Sequence, residues 1–511
     1  MRLNSLEQNL INPLYRYDTT LPVADGFNDE IPYSLEFGAQ GSLDPRIRSN
    51  NFQLGLYAQD DWDVTDRLTL NLGLRWDYER TPAFLNYVTS ATDIAAVTPP
   101  NYTNLVNADY DINNYISNGS NRKAFKGAWQ PRLGFTYRLD EQGRFTVFGG
   151  YGRSYDRNQF DFLQQELANG RFQRRQFLFQ GADTVNPCTP SATCIPWNDV
   201  YLTEAGRQQL LGTGSAPGGR EFRFINNDLK VPYSDQFSLG LRGRFNPVEL
   251  EVGYTRIVSK DGFVYLLGTR RPDGSFFAPS TSTGAPQGPD TSFAPAGFGA
   301  IIIGDNGLET KADSAYAKLT KAYSAASPWS IDATYTFTAA VDNRPNNDQS
   351  AYFLLDFPKV SDYPFLRSGV VPRHRFVVAG SADTPLGVTL SAKFQIESPT
   401  FQRSLLDSAS PYQRTIVGSE VFGLGDRWGR RQLDLAFTKY VPLKFISDET
   451  RIRFRVDIIN AMNDRNYVDF NNNPADNTRT PDSPSVYREV SSYSIGGNPP
   501  RTIKLSAGFN F

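Results

Sequence analysis

The chain has 511 residues, a formal net charge of −2 and 13% aromatic residues. A charge so close to zero, without a basic block, gives no electrostatic reason to expect a nucleic acid as a partner. No segment approaches the roughly 18 consecutive apolar residues of a membrane-spanning helix, which excludes a helical membrane protein, while 26 Tyr and 36 Phe beside 41 Gly favour an all-β protein.

The N-terminal segment, MRLNSLEQNLINPLYRYD, has neither the apolar core nor the small-residue cleavage site of a secretory signal. Further on, IPYSLEFG at residues 31–38 alternates Ile31, Tyr33, Leu35 and Phe37 with other residues, which allows one additional strand there.

The segment TDRLTLNLGLRWDYER, residues 65–80, has a strict period of two. Side chains of an extended chain point alternately to opposite faces, so this strand has one apolar and one polar face. The apolar face contains Leu68, Leu70, Leu72, Leu74, Trp76 and Tyr78, and the polar face contains Thr69, Asn71, Gly73, Arg75 and Asp77. Such polar residues do not suit a globular core, so the two faces must meet different surroundings.

The same alternation returns in pairs of segments along the chain, each pair joined by a short turn. A long polar or Gly/Pro-rich loop follows each pair, over residues 80–128, 156–233, 259–312, 340–372, 398–430 and 462–500. This asymmetry is typical of an antiparallel transmembrane β-barrel of the bacterial outer membrane, with short periplasmic turns and long extracellular loops. The apolar faces would contact lipid and the polar faces water. A large soluble sheet with one wet face is the alternative.

The only two cysteines, Cys188 and Cys194, lie in the turn-rich segment NPCTPSATCIP. Their spacing suits a small disulfide loop, which would constrain the unfolded chain by roughly 2 to 2.5 kcal/mol. An oxidised pair implies an export compartment, and two unpaired thiols are the alternative. A zinc site is not expected, because one histidine in the chain leaves too few nitrogen and sulfur ligands.

Within the loop 156–233, residues 158–180 mix aromatic side chains with arginines. Arg171, Phe172, Arg174 and Arg175 are our candidate ligand-binding residues, because guanidinium groups and rings together suit an anionic or aromatic small ligand. Alternatively, these arginines are solvated or face lipopolysaccharide phosphates.

His374, the only histidine, lies on a predicted strand next to a long loop. Nucleophilic catalysis would require a serine and an orienting group within its reach, and no such cluster is visible, so we do not expect an enzyme. The acidic clusters at 342–349 and 463–477 could offer oxygen ligands to calcium, but they lack the spacing of an EF-hand. We therefore expect solvated loops and neither a metal nor a cofactor.

The chain ends in RTIKLSAGFNF, whose alternating apolar residues include Phe509 and Phe511. This ending resembles the signal read by the outer-membrane assembly machinery, which we expect as a partner. The pattern predicts about 13 strands, whereas bacterial single-chain barrels have even numbers. The first strand should therefore pair with residues 31–38 or with strands outside this chain.

The segment LYAQDDWDVTDRLTLNLGLRWDYE, residues 56–79, resembles the TonB-dependent receptors of the bacterial outer membrane, in particular their Oar-like branch, which carries a carboxypeptidase regulatory domain. Further likenesses are RHRFVVAG at 373–380, FRVDIINAMNDRNY at 454–467 and the terminal strand. The resemblance implies a 22-stranded barrel filled by an N-terminal plug, of which this chain has the C-terminal 13 to 14 strands. It also implies import of scarce ligands with energy from the inner membrane.

No plug segment, TonB-contacting box or signal peptide is visible, so contact with TonB is expected only through a missing N-terminal region. We interpret residues 1–50 as a partial extracellular loop or truncated strand region, and residues 51–511 as the C-terminal part of the barrel. The first hypothesis is a receptor barrel for TonB-dependent uptake of an unidentified ligand. A passive porin of 12 to 14 strands and a surface adhesion barrel are the alternatives, and outer-membrane lipid and lipopolysaccharide are expected neighbours in each case.

Overall fold

In the computed structural model, the protein is a large, mostly antiparallel β-sheet whose loops are folded at one end. The structure describes residues 2–7, 13–17, 30–38, 46–156, 163, 165–167, 174–183, 187–191, 193–211, 222–274, 277, 295, 298, 301–344, 353–354, 357, 359–399, 401–406, 415–420, 429–447, 449–466, 469–470, 478, 490–492 and 500–510. None of the helices within these ranges is long and apolar enough to cross a membrane.

The described strands are, in chain order, β1 (Arg2–Glu7), β2 (Leu14–Arg16), β3 (Ser34–Gly38), β4 (Arg46–Thr65), β5 (Leu68–Arg80), β6 (Ala128–Arg138), β7 (Phe145–Tyr155), β8 (Arg174–Gln180), β9 (Cys194–Pro196), β10 (Phe222–Ile225), β11 (Tyr233–Phe245) and β12 (Val248–Leu267). They continue with β13 (Ile301–Lys321), β14 (Trp329–Asp342), β15 (Phe353–Leu354), β16 (Leu366–Arg367), β17 (His374–Asp383), β18 (Val388–Glu397), β19 (Phe401–Leu406), β20 (Thr415–Glu420), β21 (Arg430–Pro442), β22 (Arg451–Ile459), β23 (Asp469–Phe470), β24 (Val490–Ser492) and β25 (Thr502–Asn510). The α-helices are α1 (Pro82–Leu85), α2 (Ala91–Val97) and α3 (Glu204–Leu211).

Thirteen long strands of the described part form one meander, in which each strand pairs antiparallel with the next. These strands are β4, β5, β6, β7, β11, β12, β13, β14, β17, β18, β21, β22 and β25. The antiparallel all-β architecture predicted from the sequence is confirmed. An additional strand, β1, pairs with the N-terminal part of β4. The sequence pattern did not predict β1.

The register keeps the apolar and polar sets on separate faces across neighbouring strands. On one face Leu72 lies opposite Leu133, which lies opposite Tyr151. On the other face Asn71 lies opposite Gly134, and the row continues through Gly150 to Ser238. The apolar side chains are exposed although they are large; Leu133, for example, is 50% exposed. A continuous apolar band on one face and a polar wall on the other is the pattern of a barrel wall between lipid and water.

Aromatic side chains line the apolar face near the ends of strands that lead to long loops. The rings of Trp76 and Trp129 lie 6.1 Å apart, and those of Tyr151 and Phe237 lie 4.8 Å apart between their centroids. Tryptophan and tyrosine favour the boundary between lipid and water, because each joins an apolar ring to a polar N–H or O–H group. We name this set the upper aromatic row: Trp76, Tyr78, Trp129, Tyr151, Phe237 and Tyr254.

Strands β12 and β13 extend beyond the upper aromatic row, into the region interpreted from the sequence as the loop 259–312. That interpretation is wrong for the ends of the region, because β12 continues to Leu267 and β13 begins at Ile301. A β-bulge between Ser259 and Phe263 interrupts the alternation there. Beyond it both faces of the hairpin are covered by other loops, so the period-two pattern is lost.

The loops around this hairpin pack into a folded unit, which we call the cap: residues 81–127, 163, 165–167, 222–232, 261–268, 277, 301–308 and 363. Strand β10 lies parallel to the start of β13, with Phe222 opposite Ile301. The buried residues of its larger apolar cluster are Val97, Tyr102, Leu105, Ile112, Tyr115, Phe222, Phe224, Val264, Leu266, Phe277, Ile301, Ile303, Leu308 and Tyr363. This burial gives the cap an apolar core of its own.

A separate four-stranded sheet contains β2, β3, β8 and β9. Residues 31–38 therefore do contain a strand, but the alternative in which this strand joins the barrel wall is wrong, because β3 pairs with β2 and β8. The reason lies in its apolar side chains: Leu35 and Phe37 are buried against Phe177 and Phe179 rather than facing lipid.

Strand β4 is exposed on both faces, since every residue from Phe52 to Thr65 is exposed. On β25, Leu505 is 75% exposed, compared with 39% for Leu72 on β5. Such high exposure indicates that few neighbouring side chains pack against β4 and β25. The expectation that the first strand of the series pairs with strands outside this chain stays a prediction.

Candidate functional site

A cavity of about 370 Å³ lies between the polar face of β4, β5 and β6 and the underside of the cap. We call it the mouth cavity. The strands contribute Gln53, Arg75, Asp77, Gln130 and Arg132 to its lining, and the cap contributes Phe84, Lys123, Phe125 and Leu163. The cavity therefore has a polar floor and a partly aromatic roof.

The floor is organised by the i, i+2 pair Arg75 and Asp77, which share the polar face of β5. Arg75 Nε donates to both Asp77 carboxylate oxygens, at 3.0 and 2.9 Å, and Gln130 Nε2 donates to Asp77 Oδ2 at 2.5 Å. Gly55 faces this pair, and a Cβ there would lie 2.7 Å from Asp77 Oδ1. A glycine at position 55 thus gives the charged pair the room to lie across β4.

The roof is held by a buried ion pair, which we call the Arg122–Glu166 clamp. The side chains are 0% and 1% exposed, and their two parallel hydrogen bonds measure 2.7 and 2.8 Å. Arg122 also donates to Asn227 Oδ1 and to the Ile225 carbonyl, while the Ile225 N–H donates to Glu166. The clamp joins three chain segments that are far apart in sequence, because each buried charge is satisfied by groups from the other segments.

Burial is the largest influence on the carboxyl of Glu166 and raises its pKa above the ordinary value, against the opposing effects of Arg122 and the Ile225 N–H. Elsewhere in the cap, Tyr115 donates to Asp305 at 2.8 Å, and burial together with that carboxylate raises the pKa of Tyr115 far above its usual range.

Two cations of the mouth cavity have no ion-pair partner among the described residues. Arg132 lies on the floor and Lys123 on the roof, and both side chains are exposed. Glu79 is one of the acidic side chains that also border the cavity. It accepts hydrogen bonds from Asn51 and Gln53 rather than from either cation. Arg132 and Lys123 are therefore available to charged or polar groups of a ligand.

A polar groove of about 580 Å³ continues from the mouth cavity along the same face, and Arg132 lines both. Its other polar-face residues are small or amide-bearing, and include Asn71, Gly73, Gly134, Gly150, Gly152, Ser154, Ser234, Gln236 and Ser238. Short side chains leave space along this wall, so the groove extends the cavity along the polar face of the sheet.

The residues predicted as ligand contacts are not brought to the mouth cavity by the described structure. Arg174 and Arg175 belong to β8 of the four-stranded sheet, while Arg171 and Phe172 lie outside the described residues. Their ligand-binding role stays a prediction. The same loop instead supplies Leu163 to the cavity and Glu166 to the clamp.

The remaining predicted positions are distributed over the fold. Cys188 and Cys194 are joined by a disulfide with a Cα–Cα distance of 5.9 Å. His374 begins β17 on the apolar face, where its Nδ1 is hydrogen-bonded to the Tyr335 hydroxyl at 2.8 Å. Phe509 lies on β25 and is 62% exposed, and Phe511 is outside the described residues. In the described part, no group of three or more His, Cys, Asp or Glu side chains is arranged to hold a metal.

The sequence pattern did not predict the residues that the cap contributes to the cavity. Arg75 and Asp77 were predicted to face water, and they do line the floor. Lys123, Arg122 and Glu166 carry no periodic signal, because they lie in loops and meet only through long-range contacts. Glu166 is one of two acidic residues in the aromatic segment 158–180, with Asp161, and nothing in the sequence distinguishes it.

Residues 26–395 match the family model described as an outer membrane beta barrel domain. This match covers well over half of the chain. The chain belongs to the outer membrane beta barrel domain family. The predicted location in the bacterial outer membrane is thereby confirmed. The assignment of the apolar face of the sheet to lipid stays a prediction.

Two known outer-membrane proteins are similar to the chain. The chain is 22% identical over 373 residues to the TonB-dependent transporter Oar of Myxococcus xanthus, covering 68% of this chain and 29% of Oar. Among solved structures, it is similar to the outer membrane transporter YddB from Escherichia coli, with a TM-score of 0.55, 13% identity, and coverage of 99% of this chain and 49% of YddB. The chain thus spans less than half the length of either relative. The predicted resemblance to Oar-like TonB-dependent receptors is confirmed, and these relatives are transporters rather than enzymes.

Proposed function

We propose that this chain is the barrel portion of an outer-membrane receptor that binds a ligand in the mouth cavity for TonB-dependent uptake. The observation that carries the proposal is the mouth cavity itself, which lies at the long-loop end and joins a charged floor to a partly aromatic roof. Uptake energised through TonB is supported by the match to the Oar transporter, 29% of which the chain covers.

The chemistry of the cavity indicates a polar ligand with an apolar part. Arg132 and Lys123 offer charge-assisted hydrogen bonds, while Phe84 and Phe125 offer apolar or stacking contacts. A hydrogen bond to a charged group contributes roughly 1.5–3 kcal/mol. We therefore expect that Arg132→Ala weakens ligand binding by roughly 10- to 100-fold.

The ligand can be found by affinity selection. Purified protein is incubated with a fractionated extract of spent growth medium, and retained small molecules are identified by native mass spectrometry. Wild-type protein should retain a compound that Arg132→Ala and Lys123→Ala lose, whereas Arg144→Ala, at the short turn after β6, should retain it. Retention that is equal in all four proteins would contradict a site in the mouth cavity.

A passive porin is the second candidate, favoured by the continuous polar groove below the cavity. The two functions differ in their need for energy. Uptake of the isotopically labelled compound should stop after an uncoupler collapses the proton-motive force if transport is TonB-dependent. Uptake that continues, in linear proportion to the external concentration, would support the porin instead.

A further inference from the structure

The floor of the mouth cavity has charges of opposite sign at its two ends. Glu79, Asp77 and Arg75 occupy successive positions on the polar face of β5, and all three line the cavity. Arg132 lines it from β6, where it lies directly opposite Gly73, the next position of the same series. From the long-loop end inward, the floor therefore presents two carboxylates and then two guanidinium groups.

The charged groups at the two ends of this series are the ones without an ion pair. In the middle, Arg75 and Asp77 neutralise each other across 2.9 Å. At the outer end, Glu79 accepts both of its hydrogen bonds from neutral amides through Oε1, and it forms no ion pair with a described residue. At the inner end, Arg132 is exposed and equally unpaired within the described part of the chain. A ligand thus meets an anion at one end of the floor and a cation at the other.

The spacing of the two ends sets the length of a ligand that reaches both. The step from Glu79 to Gly73 is six residues, which corresponds to roughly 20 Å along a strand. The side chains of Glu79 and Arg132 are long, and when they lean toward each other they leave roughly 10 to 16 Å between their charged groups. An extended peptide of about three to five residues covers this distance, at about 3.3–3.6 Å per residue.

We propose that the ligand of the mouth cavity is a short peptide with free termini, whose ammonium group is bound by Glu79 and whose carboxylate is bound by Arg132. The inference rests on the proposed function, and it adds the chemical class and the orientation of the ligand. A zwitterion matches both ends of the floor at once, whereas a ligand with charge of only one sign would leave Glu79 or Arg132 unmatched.

The rest of the cavity suits the middle of such a peptide. Phe84 and Phe125 of the roof offer apolar surface to its side chains, and the Lys123 ammonium is a donor for its carbonyl oxygens. In this orientation the carboxyl terminus of the peptide lies next to the polar groove, because Arg132 lines both spaces.

The test measures which peptide termini the protein recognises. The full chain, purified from outer membranes in mild detergent, is incubated with an equimolar library of tri- to pentapeptides built from alanine, leucine and phenylalanine. The library is supplied with free termini, with an acetylated amino terminus, or with an amidated carboxyl terminus, and retained peptides are quantified by native mass spectrometry. Wild type is compared with Glu79→Gln and Arg132→Gln. The matched controls are Glu141→Gln and Arg144→Gln, whose exposed side chains lie at the short turn after β6.

Wild-type protein and both controls should bind the free peptides about 10- to 100-fold more tightly than either blocked form, as expected for the loss of one charge-assisted contact. Glu79→Gln should lose only the preference for a free amino terminus, and Arg132→Gln only the preference for a free carboxylate. Equal binding of all three forms by the wild type would overturn the proposal, and this comparison does not depend on the folding of any variant. The opposite assignment of the two preferences to the two variants would overturn the proposed orientation.

The peptide class and the receptor function can fail separately. Suppose that a non-peptide compound from spent medium is retained by the wild type and lost by Arg132→Ala, while no library peptide is retained. That result would overturn the peptide ligand and leave the mouth cavity as the binding site. Equal retention of the compound by all variants would instead contradict the cavity itself.

Discussion

Asn71 and Leu72 are neighbours in the chain, yet their side chains meet different surroundings. Leu72 continues a row through Leu133 on the lipid face, while Asn71 donates to Asp61 at 2.7 Å on the polar face. Leucine is stabilised when it is removed from water into lipid. The amide of asparagine is stable only on the face where its hydrogen bonds are satisfied. A single-residue shift of register would exchange the two sets, which is why the alternation is strict.

An arginine at position 72 should be far more harmful than one at position 71. Leu72→Arg places a charge in the lipid-facing band and should destabilise the folded barrel by about 2–4 kcal/mol if it lies near the midplane. Asn71→Arg places the same side chain in the aqueous groove. Urea titrations of the two variants refolded into lipid vesicles measure the difference, and equal destabilisation would contradict the assignment of faces.

The disulfide between Cys188 and Cys194 should be formed and accessible at the cell surface. Both residues lie in a long loop, and Cys188 is partly exposed. In intact cells a membrane-impermeant maleimide should label neither cysteine until a reductant is added. Labelling without reductant would show free thiols, and absence of labelling after reduction would place the loop away from the cell surface.

Among the elements, the barrel strands and the cap differ in how far the sequence determines them. Strand β5 was predictable because its alternation is local and both faces have fixed surroundings. The outer part of the hairpin β12–β13 was not, because Phe263, Tyr265 and Ile301–Ile303 are buried by other loops and lose the period of two. The site divides in the same way: Arg75 and Asp77 on the floor follow from the strand pattern, whereas the Arg122–Glu166 clamp depends on contacts between distant segments.

Removal of Arg122 from the clamp should make the stability of the cap depend on pH. In Arg122→Gln, Glu166 is buried without its partner, which should cost about 3–5 kcal/mol at neutral pH. Burial already raises the pKa of Glu166, and loss of Arg122 raises it further. The folded cap then binds the proton more tightly than the opened cap, so acidification through that raised pKa should restore stability.

Hydrogen–deuterium exchange at residues 222–229, corrected for the intrinsic rate at each pH, measures the effect. The double variant Arg122→Gln with Glu166→Gln is the control, since it contains no buried charge and should show no such recovery. Protection in Arg122→Gln that is independent of pH would show that Glu166 does not remain buried as an ionised group.

For the whole molecule, the two faces of the barrel sheet have different roles, because one is apolar and the other is polar. The apolar face holds the protein in the outer membrane, with its upper aromatic row at the boundary between lipid and water. The polar face forms the groove and the floor of the mouth cavity, which the cap closes from outside. The proposed receptor function depends on both faces. The wall must meet lipid on its apolar face and water on its polar face, where Arg132 and Lys123 hold the ligand.

Site-directed spin labelling of positions 68–78 in membranes tests this division most directly. Labels at even positions, from Leu68 to Tyr78, should collide with lipid-soluble oxygen, and labels at odd positions, from Thr69 to Asp77, with a water-soluble nickel reagent. The account predicts two accessibility profiles that alternate with a period of two and are opposite in phase. Profiles without alternation, or with oxygen accessibility highest at Asn71, Gly73 and Arg75, would contradict it.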